Sequence, residues 1–193
     1  MKNLTLVIPA KNEAESLPDV LEEIKLSDCK KIVVLEKEDI NTINAIKNFK
    51  CEIIFQKEKG YGSAIREGVD ACKTQYACVF NADGSFDPKF LQPMYKELIN
   101  DYDFIFASRY EKNLMSGSDD DTFLTFIGNK IFTYLTDILF STKITDILYT
   151  YVLFDKKKFQ DLHITSKDFQ LCVEMPIKAK LKKLKIKSYP SYE

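Results

Sequence analysis

The sequence predicts an α/β fold built on a mainly parallel sheet flanked by helices, and three observations carry that expectation. Short continuous apolar runs recur, beginning with Leu4 to Ile8, as fully buried parallel strands require. Segments with apolar residues at helical spacing lie between them. Strand and helix alternate four times before residue 110, the pattern of right-handed crossover units.

The elements follow in order. After the first strand, Pro9-Ala10-Lys11-Asn12-Glu13 breaks the chain, and Ser16 before Pro18 marks a helix entry. Leu17, Val20, Leu21 and Ile24 give that helix one apolar face. Ile32 to Leu35 is the second strand, Thr42 to Phe49 a helix with Ile43 and Ile46 inward, and Cys51 to Phe55 the third strand. Gly60-Tyr61-Gly62-Ser63 opens a helix through about Cys72. Tyr76 to Phe80 is the fourth strand. Asp87-Pro88 then starts a helix whose Leu91, Met94, Tyr95 and Leu98 share a face. Asp103 to Ala107 is the fifth strand.

After Arg109 the character changes. Ser116 to Asp121 reads as a polar loop. Phe123 to Phe140 is strongly apolar: Ile127, Ile131, Tyr134, Leu135 and Ile138 form a stripe, with Phe126, Phe132 and Leu139 off it. A helix apolar on more than one side is either buried or interfacial. Tyr149 to Phe154 is strand-like. A last helix, about Phe169 to Leu181, precedes a short strand, Lys185 to Tyr189. We read 1–193 as one domain, with 1–110 as its ligand-binding part and 111–193 shaping the second-substrate side.

Composition narrows the function. A net charge of -1 gives no general argument for nucleic acid. The lysines at 178, 180, 182, 183, 185 and 187 are either a solvated face or a patch for an anionic membrane surface. Five cysteines, odd in number and without a CxxC, favour a reducing compartment over a disulfide framework or a zinc site. No signal-peptide core opens the chain, and no run reaches the ~20 apolar residues of a membrane span. The expectation is a cytoplasmic protein that touches a membrane, if at all, from its inner face.

The chemistry-bearing residues gather where strands end. Asn81-Ala82-Asp83-Gly84-Ser85 follows the fourth strand, and ligands of open α/β sheets bind outside the carboxyl ends of strands. Asp83, with Ser85 or a water, is the candidate ligand for Mg²⁺ or Mn²⁺, which prefer oxygen donors and share their shells with phosphates. The same residues also make a good turn sequence in which side chains satisfy local backbone. Asp87 suits an N-cap and is left out of the metal site. Asn12 and Glu13, after the first strand, either bind a base or ribose or form an ordinary loop and helix start. Gly60 and Gly62 would let backbone approach a phosphate, or simply form a turn. Arg109 ends the fifth strand, and its guanidinium suits phosphate oxygens. His163, the single histidine, has no partner spacing.

The order of these pieces resembles family-two glycosyltransferases of the GT-A, Rossmann-like fold. The resemblance rests on Val-Ile-Pro-Ala-Lys-Asn-Glu (7–13), Gly-Tyr-Gly-Ser-Ala (60–64), Asn-Ala-Asp-Gly-Ser (81–85) and Ala-Ser-Arg-Tyr (107–110). Gly128-Asn129-Lys130, Thr145-Asp146 and Glu174 continue it, and the chain looks most like the dolichyl- or polyprenyl-phosphate sugar transferases. It implies inverting transfer from a GDP- or UDP-linked sugar, with Mg²⁺ or Mn²⁺ on the diphosphate and a lipid-phosphate acceptor of cell-envelope chemistry. Pro9, Ala10, Asn12 and Glu13 match the nucleotide-binding strand end, and Asn81, Ala82 and Asp83 match the Asp-x-Asp motif. Gly62 and Asp146 fall at substrate-side positions, although Asp146 otherwise only anchors the loop before Tyr149, and Arg109 matches a residue touching phosphate near the reaction centre. The cation and Arg109 would offset charge building on the leaving diphosphate. A phosphate acceptor is already anionic and needs little base catalysis.

Four departures stand out. Asn81 replaces an acidic residue. Leu35-Glu36-Lys37-Glu38-Asp39 lacks the usual glycine or serine. Thr150 and Val152 stand where Gly and Arg are common, and the chain stops at Ser191-Tyr192-Glu193, where relatives often continue with basic residues. Asn81 and Val152 favour an alternative, a weakly active or inactive relative that binds a nucleotide or a partner. A nucleotidyltransferase is disfavoured because the first loop has no glycine.

Overall fold

The computed structural model describes residues 1–110 and 123–191, so the Ser116–Asp121 loop lies outside the described residues. The strands are β1 (Leu4–Pro9), β2 (Lys30–Leu35), β3 (Glu52–Phe55), β4 (Tyr76–Val79), β5 (Phe104–Ser108), β6 (Val152–Asp155) and β7 (Ile186–Pro190). The helices are α1 (Leu17–Glu23), α2 (Ile40–Ile46), α3 (Tyr61–Ala71), α4 (Leu91–Asp101), α5 (Phe123–Phe140), α6 (Lys156–Asp161) and α7 (Leu171–Leu181). The seven strands form one sheet in the order β3-β2-β1-β4-β6-β5-β7. All pairings are parallel except those of β6, which runs against both β4 and β5. The mainly parallel α/β architecture read from the sequence is therefore present.

Helices cover both faces because the strands are apolar on both. On one side Leu17, Val20, Leu21, Ile24, Ile46, Leu91, Met94 and Leu98 pack against Leu6, Ile8, Val33 and Leu35. On the other, Ile65, Val69, Phe159, Leu171 and Met175 cover Val7, Val34, Val79 and Phe154. Each fully buried aliphatic or aromatic side chain contributes roughly 1.5–3 kcal/mol of transfer free energy. Aromatic packing between Phe86 and Tyr151, with centroids 4.7 Å apart, ties the Asp83 turn to the chain entering β6.

Two features place the site. The chain goes one way from β1 to β2 and β3 and the other way to β4, so β1 and β4 flank a topological switch point. Reversal of β6 brings its entry, Tyr149–Tyr151, to the same sheet edge as the exits of β1, β4 and β5. Asp87 caps the short 3-10 turn Pro88–Phe90 by accepting from Lys89 N at 2.9 Å, as an Asp-Pro start leads one to expect. The C-terminal lysines are partly satisfied within the fold: Lys178 pairs with Glu174, Lys185 with Asp101 and Lys187 with Glu97. Among the described residues no helix is long and apolar enough to cross a membrane.

Candidate functional site

A cleft of about 640 Å³ opens at the carboxyl edge of the sheet, outside β1, β2, β3 and β4. The expected residues Pro9, Ala10, Glu13, Asn81, Ala82, Asp83, Ser85 and Arg109 all line it. Asn12, Gly62 and Asp146 do not.

The first wall is the loop after β1. Asn12 adopts φ 60, and its N–H donates to Asp39 Oδ2 at 2.7 Å. Glu13 N donates to Thr42 Oγ1 at 3.0 Å. The start of α2 thus fastens this loop, and Asn12 serves the fastening through its backbone. Lys11 bonds Glu36 at 2.9 Å across the cleft mouth. That contact holds the Glu36 carboxyl below its usual range, chiefly through the hydrogen bond, and raises Lys11.

The floor is the turn after β4. Asp83 Oδ1 accepts from Ser85 N at 3.0 Å and from Ser85 Oγ at 2.6 Å. This is the local turn that the sequence also permitted, yet Asp83 is exposed and lines the cleft. Its other oxygen, Oδ2, has no hydrogen-bond partner among the described residues. Asn81 Nδ2 donates to Ser85 Oγ at 3.2 Å, and Asn81 Oδ1 accepts from the Tyr61 hydroxyl at 3.0 Å. The same hydroxyl bonds Thr150 Oγ1 at 3.0 Å. Burial pushes the Tyr61 phenol up, so it stays protonated as a structural donor. Thr150, where a glycine was expected, is therefore part of the cleft wall.

Three hard oxygen donors meet here, and only Asp83 is a carboxylate. Among the described residues no cluster of three or more His, Cys, Asp or Glu side chains gathers. Such a set fits a divalent ion whose shell is completed by phosphate and water, and does not fit a resident, protein-caged ion.

The third wall comes from an unexpected segment. Residues 165–169 return to the cleft, where Phe169 stacks on Tyr61 at 4.7 Å and 13°. Gly60, at φ 112, and Gly62 lie against this segment, and Gly60 also lines the cleft. A methyl group at Gly62 would lie 2.7 Å from the Ser166 carbonyl oxygen and 2.9 Å from that of Asp168. Ser63 N donates to Lys167 O at 2.9 Å. Glu174 holds the segment from the other side: it accepts from Thr165 N, Thr165 Oγ1 and Ser166 N and pairs with Lys178. Burial opposes its charge, but the bonds from Lys178, Ser166 and Thr165 together outweigh burial and lower the carboxyl to about 2.

Arg109 is held from behind. Its Nε donates to Asp146 Oδ2 at 2.8 Å and its Nη2 to Asp146 Oδ1 at 3.3 Å. Asp146 is fully buried and also accepts from Asn129 Nδ2 at 2.5 Å. The guanidinium lies 4.7 Å from the Tyr149 ring centroid. Asp146 is thus an orienting group for Arg109 and lies too deep to meet a substrate. The carboxylates on the cleft differ in how they are engaged. Glu13 accepts from Ser16, Glu36 from Lys11 and Asp83 from Ser85, while the exposed Asp168 carboxyl accepts no hydrogen bond among the described residues.

Sequence reading gave no site role to Tyr61, Thr150, Asp168 and Phe169. The Gly-Tyr-Gly spacing was the available signal for Tyr61, and the resemblance marked Thr150 only as a departure. Nothing local marks Asp168 and Phe169, because a fold-back of some hundred residues brings them in.

Comparison with known proteins agrees with this geometry. The family model described as glycosyl transferase family 2 matches residues 5–163. Glycosyltransferase AglJ of Haloferax volcanii is 24% identical over 188 residues, covering 96% of this chain and 61% of that protein. An uncharacterised glycosyltransferase of Mycobacterium tuberculosis is 33% identical over 106 residues, covering 55% of this chain and 48% of that protein. The chain thus spans less than two thirds of either relative. Among solved structures, glucosyl-3-phosphoglycerate synthase of Mycobacterium tuberculosis with UDP superposes with a TM-score of 0.77 at 13% identity, covering all of this chain and 72% of that one. The same enzyme with Mn²⁺, UDP-glucose and phosphoglyceric acid gives 0.73 at 12% identity. Mannosyl-3-phosphoglycerate synthase of Rubrobacter xylanophilus gives 0.69 at 14%, covering 66% of its chain. These likenesses show a shared fold, and with the family match over most of its length the chain belongs to glycosyl transferase family 2.

Proposed function

We propose that this chain transfers a sugar, with inversion, from a GDP- or UDP-linked donor to a phosphate-bearing acceptor, and that it depends on Mg²⁺ or Mn²⁺. The observation that carries the reading is the Asn81–Ser85 turn at the switch-point cleft, with Asp83 Oδ2 left open. Residues 1–110 supply the donor side: Pro9, Ala10 and Glu13 hold the nucleotide, and Asn81 and Ala82 shape the floor. Asp83 and Ser85 would hold the cation, which when bound neutralises charge on the diphosphate. Arg109, oriented by Asp146, faces the leaving phosphates. The 111–193 part carries the acceptor side.

Support for a phosphate acceptor is that Glu13 and Glu36 are engaged by Ser16 and Lys11 and Asp83 is given to the cation, which leaves all three poorly placed as bases. An anionic phosphate needs none. Polyprenyl phosphate is the acceptor we expect, and phosphoglycerate, named with the structural neighbours, is the comparison. Purified protein with Mn²⁺ and labelled nucleotide sugar would be offered each in turn. Transfer to polyprenyl phosphate that survives Asp168→Asn supports the reading. Transfer that goes only to a hydroxyl and is lost in Asp168→Asn replaces it with base-assisted chemistry at Asp168.

One observation favours a second reading, a nucleotide-binding relative with little turnover: the floor has a single carboxylate, because Asn81 is neutral and tied to Tyr61 and Ser85. Thermal shifts with nucleotide and Mn²⁺ separate the cases when run beside a turnover assay. A ligand at about 100 times its Kd adds ~2.7 kcal/mol to stability. For a chain of this size that is roughly 5–10 °C. Asp83→Ala should remove the Mn²⁺-dependent part. A full shift without turnover on any donor supports the second reading.

A further inference from the structure

We propose that Asp168 and Phe169 form the sugar subsite of this cleft. The carboxylate receives two neighbouring hydroxyls of the donor's hexose, and the open face of the ring packs on the C–H face of that sugar. The inference rests on the donor reading given above and assigns the part of the donor which that reading leaves without residues.

Backbone fixes the place of both side chains. Ser63 N and Glu174 hold residues 165–167. The segment comes this near because residues 60 and 62 carry no side chain: a methyl at Gly60 would stand 2.3 Å from Lys167 O and 2.6 Å from Asp168 Oδ1. The Asp168 carboxylate thus rests beside the bare Cα of Gly60, on the cleft wall. An acid just ahead of a helix commonly caps it. Here Leu171 N, at the start of α7, bonds the Asp168 backbone oxygen at 3.1 Å, and neither carboxylate oxygen accepts a hydrogen bond among the described residues. Phe169 is also left over from packing. Tyr61 covers one face of its ring, and the residue remains 68% exposed.

A sugar is the ligand that fits both groups. An ionised carboxylate only accepts, and its two oxygens can take a pair of adjacent hydroxyls in charge-assisted bonds. It repels a diphosphate, so the phosphates are not its ligand. A flat apolar ring beside such an acceptor matches a pyranose, which has C–H groups on its face and hydroxyls at its rim. Position agrees with chemistry. The Tyr61 hydroxyl, beneath Phe169, donates to Asn81 Oδ1 at 3.0 Å. One ring and one hydrogen bond therefore join the Phe169 plate to the Asn81–Asp83 floor. With a diphosphate at that floor and the base toward Pro9 and Glu13, the group that reaches Phe169 is the sugar.

Calorimetric titration of the whole chain with Mn²⁺, without acceptor, tests this with UDP-glucose and GDP-mannose beside UDP and GDP. The readout is the ratio of the Kd for a nucleotide sugar to that for its bare diphosphate, which a general disturbance of the cleft leaves alone. Asp168→Asn should raise the ratio for the sugar that binds about 10-fold, the low end for hydrogen bonds to a charged group. Phe169→Ala should raise it about 5-fold, and Phe169→Tyr, which keeps the ring, should not. Equal weakening of sugar-bearing and bare nucleotides, or an unchanged ratio, overturns the proposal. So does an Asp168→Asn variant that loses kcat with donor affinity intact, which makes Asp168 a base. A chain that binds neither kind of nucleotide overturns the donor reading itself, and the proposal with it.

Discussion

Replacing Gly62 by alanine probes whether the 165–169 segment is a built wall of the cleft. The added methyl would sit 2.7 Å from Ser166 O, 2.9 Å from Asp168 O and 3.0 Å from Lys167 C. Ordinary van der Waals contact begins at 3.4 Å, so each atom must give way by at least about 0.4–0.7 Å, and backbone held by Glu174 and Ser63 N cannot yield freely. Overpacking of this kind costs about 1–3 kcal/mol. Alanine returns up to ~1 kcal/mol as a better helix residue in α3. The net expectation is a loss of about 1–2 kcal/mol, a fall in Tm of roughly 2–8 °C. Gly128→Ala in α5 is the control, because a methyl there meets nothing within 4 Å. It should be neutral or stabilising by up to ~1 kcal/mol. Urea unfolding of both variants gives the difference, and nucleotide titration reads the site. Gly62→Ala should bind nucleotide more weakly because Phe169 moves off Tyr61. Equal stability of the two variants, with binding intact, would refute the claim that these glycines exist to admit the segment.

Two further outcomes follow from the same contacts. Glu174 is held at about 2 against an ordinary 4.5, so its contribution is complete above about pH 4.5 and fades as pH falls toward 2. Glu174→Gln should therefore cost about 1–2 kcal/mol at pH 7, after solvent screening is discounted from the ~3 kcal/mol such a shift implies. The gap to wild type should narrow between pH 5 and pH 3 in urea melts, and a constant gap would show that its charge is not what anchors Thr165 and Ser166. Asp146→Ala removes the buried carboxylate that receives Arg109 and Asn129, a change worth roughly 3–5 kcal/mol, readable as an early thermal transition. A near-silent Asp146→Ala would mean Arg109 is oriented by something else.

Much of this molecule could be read from its residues. Apolar runs announced the strands because burial on both faces forbids alternation, and α5 runs over the expected span because Phe123 to Phe140 has no proline and a single glycine. Direction was less legible. Val152–Asp155 looks like any apolar run, and only its partners β4 and β5 reveal that it runs backward. α6 went unread because Lys156-Lys157-Lys158 resembles a solvated loop, although Asp155 caps it through Lys158 N. In the site, residues adjacent to strand ends were found and those delivered by long-range packing were not. Asn12 and Gly62 show the converse: each sits in a telling motif yet serves the scaffold, through its backbone or through its missing side chain. The apolarity of α5 was plain, but its outward direction follows from the polar demands of Asp146, which no periodicity encodes.

The antiparallel β6 has a consequence for diversification. Its incoming connection, residues 141–151, reaches the cleft rim without a crossover helix. Thr150 ties that connection to Tyr61 and through it to Asn81, and Tyr149 packs on Arg109. Under the proposed transfer, exchanging Leu148 with those contacts kept should change which acceptor is taken and leave nucleotide binding in place.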